Sequence, residues 1–380
     1  MSEVRTGIGL WLSRHMSPKH AMAQTRAMEA TGQIDQFVLW DQLTSWWPQK
    51  LWEPSITPLA GLVPDVDSSP DPFVASAFGL SAAEKLGFAI CTDASRRDPP
   101  ELAQMMLTLA LATEGRGSLC LGAGEVRHIA PFGRNRALGL KRLEDSLQIL
   151  QFLLKGKDVG NFDGKVWQLR DAWIGNGGKE KMPEVIAMGG GPRLTEMALK
   201  YADGFSTGAP FVYGSAEKYG EQVQTLKRGL VDLGRDPQAF TFGLHHILFL
   251  CKNKDEFEQY LDNPLLKWYA ATGGRLNMRD WEPEGIAPVM PLDWHYAFNM
   301  MPNSMTRAEI DAIVAKVTPE MVRKTFFYGS PADIAAQVKP YVTAGATLNL
   351  LADLSPLMVP TDPLASIEQL AEVCRLVKAH

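Results

Sequence analysis

Cysteine is scarce and scattered, with four residues in 380 and no Cys-x-x-Cys pair. Cys91, Cys120 and Cys251 each stand inside or at the end of an apolar, strand-like run. They read as reduced core residues of a cytoplasmic protein, neither a disulfide frame nor a metal site. No histidine–carboxylate cluster has ligand spacing, which argues against metal-dependent hydrolases. His245-His246 is no exception, because neighbours in a strand point to opposite faces and cannot act as a metal pair. Positive charge is not in surplus: 38 Lys and Arg against 43 Asp and Glu leave a net charge of −5. A general nucleic-acid or anionic-membrane surface is therefore not expected. No apolar run has the length of a membrane span, and Met-Ser-Glu-Val-Arg enters a strand pattern without the features of a signal peptide. A Gly-x-Ser-x-Gly elbow and a Walker loop are missing as well.

What is present is organised around Glu114-Gly-Arg-Gly-Ser-Leu-Cys-Leu-Gly-Ala-Gly-Glu125 and the amphipathic run at 138–154. Residues 118–121 are short, apolar and bounded by glycines, the pattern of a buried strand. Gly122-Ala-Gly124 then removes side chains at the strand's end, so that a flat ligand can approach the backbone with Glu125 at the mouth. In the following run Leu143, Leu147, Leu150 and Leu154 share one helical face, with Arg142, Glu144 and Asp145 turned away. Strand, glycine mouth and covering helix make one β/α unit whose chemistry lies at the strand's C-terminal end.

The alternation continues along the chain. Strand patterns fall at 5–12, 36–41, 85–92, 119–122, 185–188, 204–207, 242–251 and 347–352. Helix starts recur at Ser17-Pro18, Asp71-Pro72, Asp98-Pro99, Ser330-Pro331 and Asp362-Pro363, each pairing a side-chain acceptor for orphan N–H groups with a residue that has none. Eight strands alternating with helices predict an α/β fold, a single (β/α)8 TIM barrel over residues 1–380, in preference to a doubly wound sheet. Residues 44–71 after the second strand and about 252–328 after the seventh are too long for simple connections. Both emerge on the strand-end face, as lids or substrate walls do.

Glu125 is the leading candidate acid or base, since a carboxylate at a strand end among glycines is tunable for proton transfer. His128, three residues on, either donates to a ligand or caps a local turn. Gly189-Gly-Gly-Pro192 sets bare backbone N–H groups at a helix start, a phosphate site by geometry and dipole, although a tight turn uses glycines too. Arg96 and Arg97 read as a solvated pair before an anion site. Trp46, Trp47 and Trp52, with Phe211, Tyr213, Trp294, Tyr296 and Phe298, together favour a hydrophobic pocket for a large apolar substrate.

Four stretches then carry a resemblance: Leu39-Trp-Asp41-Gln-Leu-Thr-Ser-Trp-Trp-Pro48, Cys91-Thr-Asp-Ala-Ser-Arg-Arg-Asp-Pro99, Glu114 through Glu125, and Met188-Gly-Gly-Gly-Pro192. In this order they resemble the bacterial-luciferase-like superfamily, and within it the deazaflavin-dependent branch of phthiodiolone-ketoreductase-like oxidoreductases. The long insertion is not matched. The resemblance implies coenzyme F420, or FMN in the alternative, lying across the strand ends. It places Asp41 and Gln42 near the ring edge, and Glu125 and His128 near the pyrimidine side. Met188, Gly189, Gly190 and Gly191 fall near the ribityl phosphate, and Ala89 and Ile90 at a bulge with a non-prolyl cis peptide. Glu125, Gln42 and Trp46 are the implied catalytic group, with Glu125 as proton donor and Trp46 in a positioning role. Gln42 replaces a histidine that sugar-phosphate dehydrogenases of this kind carry, and Gly208-Ala-Pro-Phe211 lacks their lysine, so a phosphorylated sugar is not expected. The implied reaction is hydride transfer to an apolar carbonyl or conjugated double bond. The alternatives are an FMN monooxygenase of a hydrophobic molecule and, from another class, a non-catalytic flavin-binding protein. A homodimer is a further implication.

Overall fold

Eight parallel strands close on themselves in the computed structural model, which describes residues 3–156, 158–175, 182–359 and 362–379. The barrel strands are β1 (Arg5–Gly9), β2 (Gln36–Trp40), β3 (Gly87–Asp93), β4 (Gly117–Gly122), β5 (Glu184–Met188), β6 (Gly204–Ala209), β7 (Thr241–Leu250) and β8 (Leu348–Asp353). Each pairs with its sequence neighbour, β8 returns to β1, and helices cover the outside. This is the (β/α)8 TIM barrel that the strand spacing predicts. Its interior is filled by small and branched side chains, among them Val38, Ala89, Ile186, Leu348 and Leu350.

The helix starts behave as their chemistry requires, with two exceptions. Asp71, Ser330 and Asp362 accept backbone N–H groups of the first turn, Ser330 within a capping box with Asp333. Asp98 makes no such bond although its helix begins at Pro99, and the first helix starts at Lys19 with Pro18 already helical.

Two expectations are corrected. β3 has no cis bond at Ala89–Ile90; among the described residues the cis bond is Ala209–Pro210. β3 runs in unbroken register with β2 and β4, Ala89 opposite Val38 and Ser118, and Ile90 opposite Leu39 and Leu119. Ala89 faces the barrel interior and Ile90 the covering helices, both fully buried, and a bulge would turn one of them off its face. Asp145, expected on the exposed face of its helix, is buried. A hairpin that hydrophobic spacing did not reveal, Gly160–Asp163 with Gln168–Ala172, lays its turn there, and Asp145 accepts the N–H groups of Lys165, Val166 and Trp167 at 3.0, 2.6 and 3.0 Å.

Both long segments rise from the strand ends and pack together. Leu51, Trp52 and Ala60 of the first join Leu265, Trp268 and Trp281 of the second in a separate hydrophobic cluster. The Trp268 indole donates to the Trp46 carbonyl at 2.9 Å, and the Asn263 amide donates to the Ile56 carbonyl at 2.7 Å. A short strand, Phe327–Gly329, continues parallel pairing along the end of β7 and returns the chain to the barrel.

Candidate active site

Asp41 leaves the end of β2 and is buried between two guanidinium groups. Arg96 donates to its Oδ1 at 2.7 Å and Arg97 to its Oδ2 at 2.9 Å, while the Thr92 hydroxyl donates to Oδ2 at 2.7 Å. Arg97 reaches on to Asp71 at 2.6 Å. Arg96 and Arg97 are therefore not a solvated pair. Their charges are met inside the chain by a carboxylate that lies more than fifty residues away in sequence, which local charge patterning cannot show. Gln42, next along, is half-buried and its side chain has no hydrogen-bond partner among the described residues.

Glu125 stands at the mouth as expected and precedes a short helix, Val126–Ile129. Its carboxylate accepts from Arg127 Nε at 2.7 Å. Arg127 is buried, bonds the Thr44 carbonyl, and lies 5.3 Å from the Trp46 ring. His128 is turned inward, where its Nδ1 accepts from the Leu43 and Thr44 amides at 3.4 and 3.3 Å. Burial, with Arg127 and Arg96 nearby, holds the ring neutral far below the usual histidine range. It anchors the start of the first long segment, far away in sequence, rather than capping a turn of its own.

Asp93, at the end of β3, is a site residue that sequence inspection missed. Burial pushes its carboxyl up to about 6, reinforced by the charges of Asp41 and Glu125 and opposed by Arg96 and the Ser95 amide. Its Oδ1 accepts from the Ser95 and Arg96 amides at 2.9 Å each. The criterion that singled out Glu125, a carboxylate at a strand's C-terminal end, would have found it. Arg136 is the second omission. Half-buried, it lies 4.5 Å from the Phe298 ring, its Nε has no hydrogen-bond partner among the described residues, and burial lowers its pKa against the nearby charges of Asp93 and Glu125.

An aromatic wall closes this face. The Trp46 ring lies 5.5 Å from Tyr269 and 5.2 Å from Tyr296, and Phe211 meets Tyr296 edge-on at 5.4 Å. The Trp46 indole donates to Thr272 at 2.9 Å, fixing it against the second long segment. Trp47 joins through Tyr269, whereas Trp52 is buried with its indole on the Val63 carbonyl, and Tyr213 packs on Tyr219. The expected aromatic set is thus divided between wall and core.

The glycines divide similarly. Gly124, at φ +93°, has its bare side filled by Ile129 and Asp93, and a side chain at Gly190 would strike Leu276 and Val212. Gly189 lies under Leu194, while Gly191, the N-cap of the helix Pro192–Tyr201, is open. Met188 is half-buried against the barrel interior beside this turn. The helix start remains available at Gly191, and the other glycines serve close packing of the chain on itself.

The second long segment is held down by Arg275, which is buried and donates to Glu284 at 2.9 and 2.5 Å and to the carbonyls of Gly274 and Lys324. Its guanidinium lies 4.3 Å from the Trp281 ring. Arg275→Met should cost about 3 kcal/mol, because carbonyls and a carboxylate lose a buried donor. Urea denaturation together with limited proteolysis within 252–328 would measure it; unchanged cleavage would show that the segment is anchored elsewhere.

The geometry has counterparts among known proteins. The model of the luciferase-like monooxygenase family matches residues 4–348. Over 346 residues the chain is 25% identical to a phthiodiolone/phenolphthiodiolone dimycocerosates ketoreductase of Mycobacterium sp. (strain JLS), covering 89% of each. An F420-dependent secondary alcohol dehydrogenase in complex with an F420-acetone adduct has the same fold, with a TM-score of 0.72 at 16% identity over 99% of both chains. So does a riboflavin lyase with modified FMN and riboflavin, with a TM-score of 0.67 at 16% identity over 98% of this chain and 91% of that one.

Proposed function

The chain belongs to the luciferase-like monooxygenase family, and on that footing we propose that it is an F420-dependent oxidoreductase acting on an apolar carbonyl or a conjugated C=C or C=N bond. The observation that carries this reading is that Asp93, a buried carboxyl held at about 6 at the end of β3, and the Trp46–Tyr269–Tyr296 wall lie on the same strand-end face. A 5-deazaflavin, when bound, supplies the hydride. The residues present fit such a group: Gly191 leaves an open helix start for a phosphate, and Arg136 is a half-buried cation with an unpartnered Nε. Met188 and the Gly189–Gly191 turn would lie along its ribityl chain, with Gln42 at its ring edge.

The chain's own residues then divide the work. The aromatic wall excludes water and gives an apolar substrate its contact surface. Asp93 delivers the proton that a reduced carbonyl oxygen needs, since its carboxyl keeps its proton up to about pH 6. Glu125 with Arg127 positions Trp46, and Asp41 fixes the arginines beneath. A phosphorylated substrate is disfavoured, because Arg275, the guanidinium beside the turn after β6, is already engaged by Glu284.

The test is titration of the purified chain with F420 and with FMN. F420 should bind with quenching of its fluorescence; tight FMN binding with no F420 binding would reverse the choice. That second reading, an FMN monooxygenase of a hydrophobic molecule, has the riboflavin lyase's fold behind it. It requires oxygen uptake coupled to substrate oxidation.

A further inference from the structure

Beneath the strand-end face, three residues far apart in sequence meet inside the barrel. Cys91 on β3 and Cys120 on β4 are register partners, and His245 reaches them from β7. One ligand atom from each lies within 4.8 Å of the other two. Cys91 is 2% exposed, Cys120 0% and His245 9%. Val38, Ala89, Ile186 and Leu350 surround the thiols, with Trp40 and Met188 packed against them. Neither ring nitrogen of His245 has a hydrogen-bond partner among the described residues, an arrangement that leaves a buried polar group unmet. His246, its neighbour, points to the opposite face and is satisfied by Asn349 at 2.9 Å.

We propose that Cys91, Cys120 and His245 form a buried site for a soft divalent cation of the zinc type, set under the floor of the strand-end face. Two thiolates and an imidazole are the donors such an ion prefers, and tetrahedral bonds of about 2.3 Å to sulfur and about 2.0 Å to nitrogen place donors roughly 3.5 to 3.8 Å apart. The observed group spans up to 4.8 Å, so ligation draws the three side chains inward. Charge supports the assignment: two thiolates neutralise a divalent ion, so the filled site adds no net charge to an apolar layer. Metal entry displaces the two thiol protons into solvent, because only thiolates ligate such an ion. The fourth position falls to the Met188 thioether or to a water. The filled site would tie β3, β4 and β7 together across the barrel, whatever reaction the face above performs. Spacing rules did not find it, because they look for ligands close in sequence.

The experiment uses the full chain, treated with chelator and titrated with Co2+ under reducing conditions. One cobalt per chain should bind, with thiolate-to-cobalt charge-transfer absorption and tetrahedral visible bands, and Zn2+ should displace it. Cys120→Ser and His245→Gln should each weaken binding by at least about 100-fold, more than the loss of an outer contact costs. Cys251→Ser, remote from the cluster, should leave binding unchanged. Circular dichroism of the metal-free variants separates lost ligation from lost folding, and His245→Gln keeps the test if a serine variant misfolds. A chain that takes up no cobalt, a spectrum that survives Cys120→Ser, or a Cys91–Cys120 disulfide in freshly purified protein would overturn the assignment. Failure of F420 to bind would not touch it.

Discussion

Asp41→Asn is expected to destabilise the chain by about 3 to 5 kcal/mol, because it removes one partner of a buried ion cluster and leaves the others charged. Arg96 has a side chain only 7% exposed and pairs with no other carboxylate among the described residues; Arg97 keeps Asp71. Urea denaturation at neutral pH measures the loss. The double variant Asp41→Asn, Arg96→Met should recover a large part of it, since an apolar side chain of similar length removes the stranded charge. A loss below about 1 kcal/mol, the range of exposed pairs, would mean that water reaches this cluster. The consequence for the site is direct: Asp41 is saturated by Arg96, Arg97 and Thr92, so its carboxylate is committed to fixing the turn after β3.

The second large effect is on proton delivery. With its carboxyl held at about 6, Asp93 is protonated in roughly a tenth of the molecules at pH 7. For carbonyl reduction, kcat/KM should then fall above pH 6 by about tenfold per unit, because the free enzyme's acid is being lost. Asp93→Asn should lower kcat by about 10²- to 10⁴-fold and abolish that limb. Asparagine retains the Oδ1 that accepts from Ser95 and Arg96, so the turn is kept. Glu125→Gln should leave the limb in place; if instead the limb disappears there and persists in Asp93→Asn, the proton belongs to Glu125.

The same shift has a stability signature of defined sign. Between pH 3.8 and about 6 the folded chain retains a proton on Asp93 that the unfolded chain has released. Stability from this group therefore falls as pH rises through the window, by about 3 kcal/mol at most. Asp353 is pushed to about 6 by its own burial and contributes in the same direction. Asp93→Asn should accordingly reduce the pH dependence in this range without removing it.

How much of this could be read from the chain alone varies with the distance over which each feature is set. The strands and most helix ends are local: alternation, glycine bounds and an acceptor before proline act within a few residues. The closed barrel and the strand-end placement of Glu125, Trp46 and both long segments follow from counting those units. The hairpin over Asp145 escaped because neither of its strands is buried enough to show a hydrophobic period.

Ordering of strands and the end from which both long segments rise were set by residue pattern, since a β/α repeat has few ways to bury its apolar faces. Charge partners, filled glycines and tuned acids were not, since these depend on which side chains meet after the sheet has closed. Arg96 finds Asp41, Leu276 covers Gly190, and Cys91, Cys120 and His245 converge across three strands. Each such meeting is a matter of a few ångströms between residues distant along the chain, and burial then raises its energy from negligible to several kcal/mol.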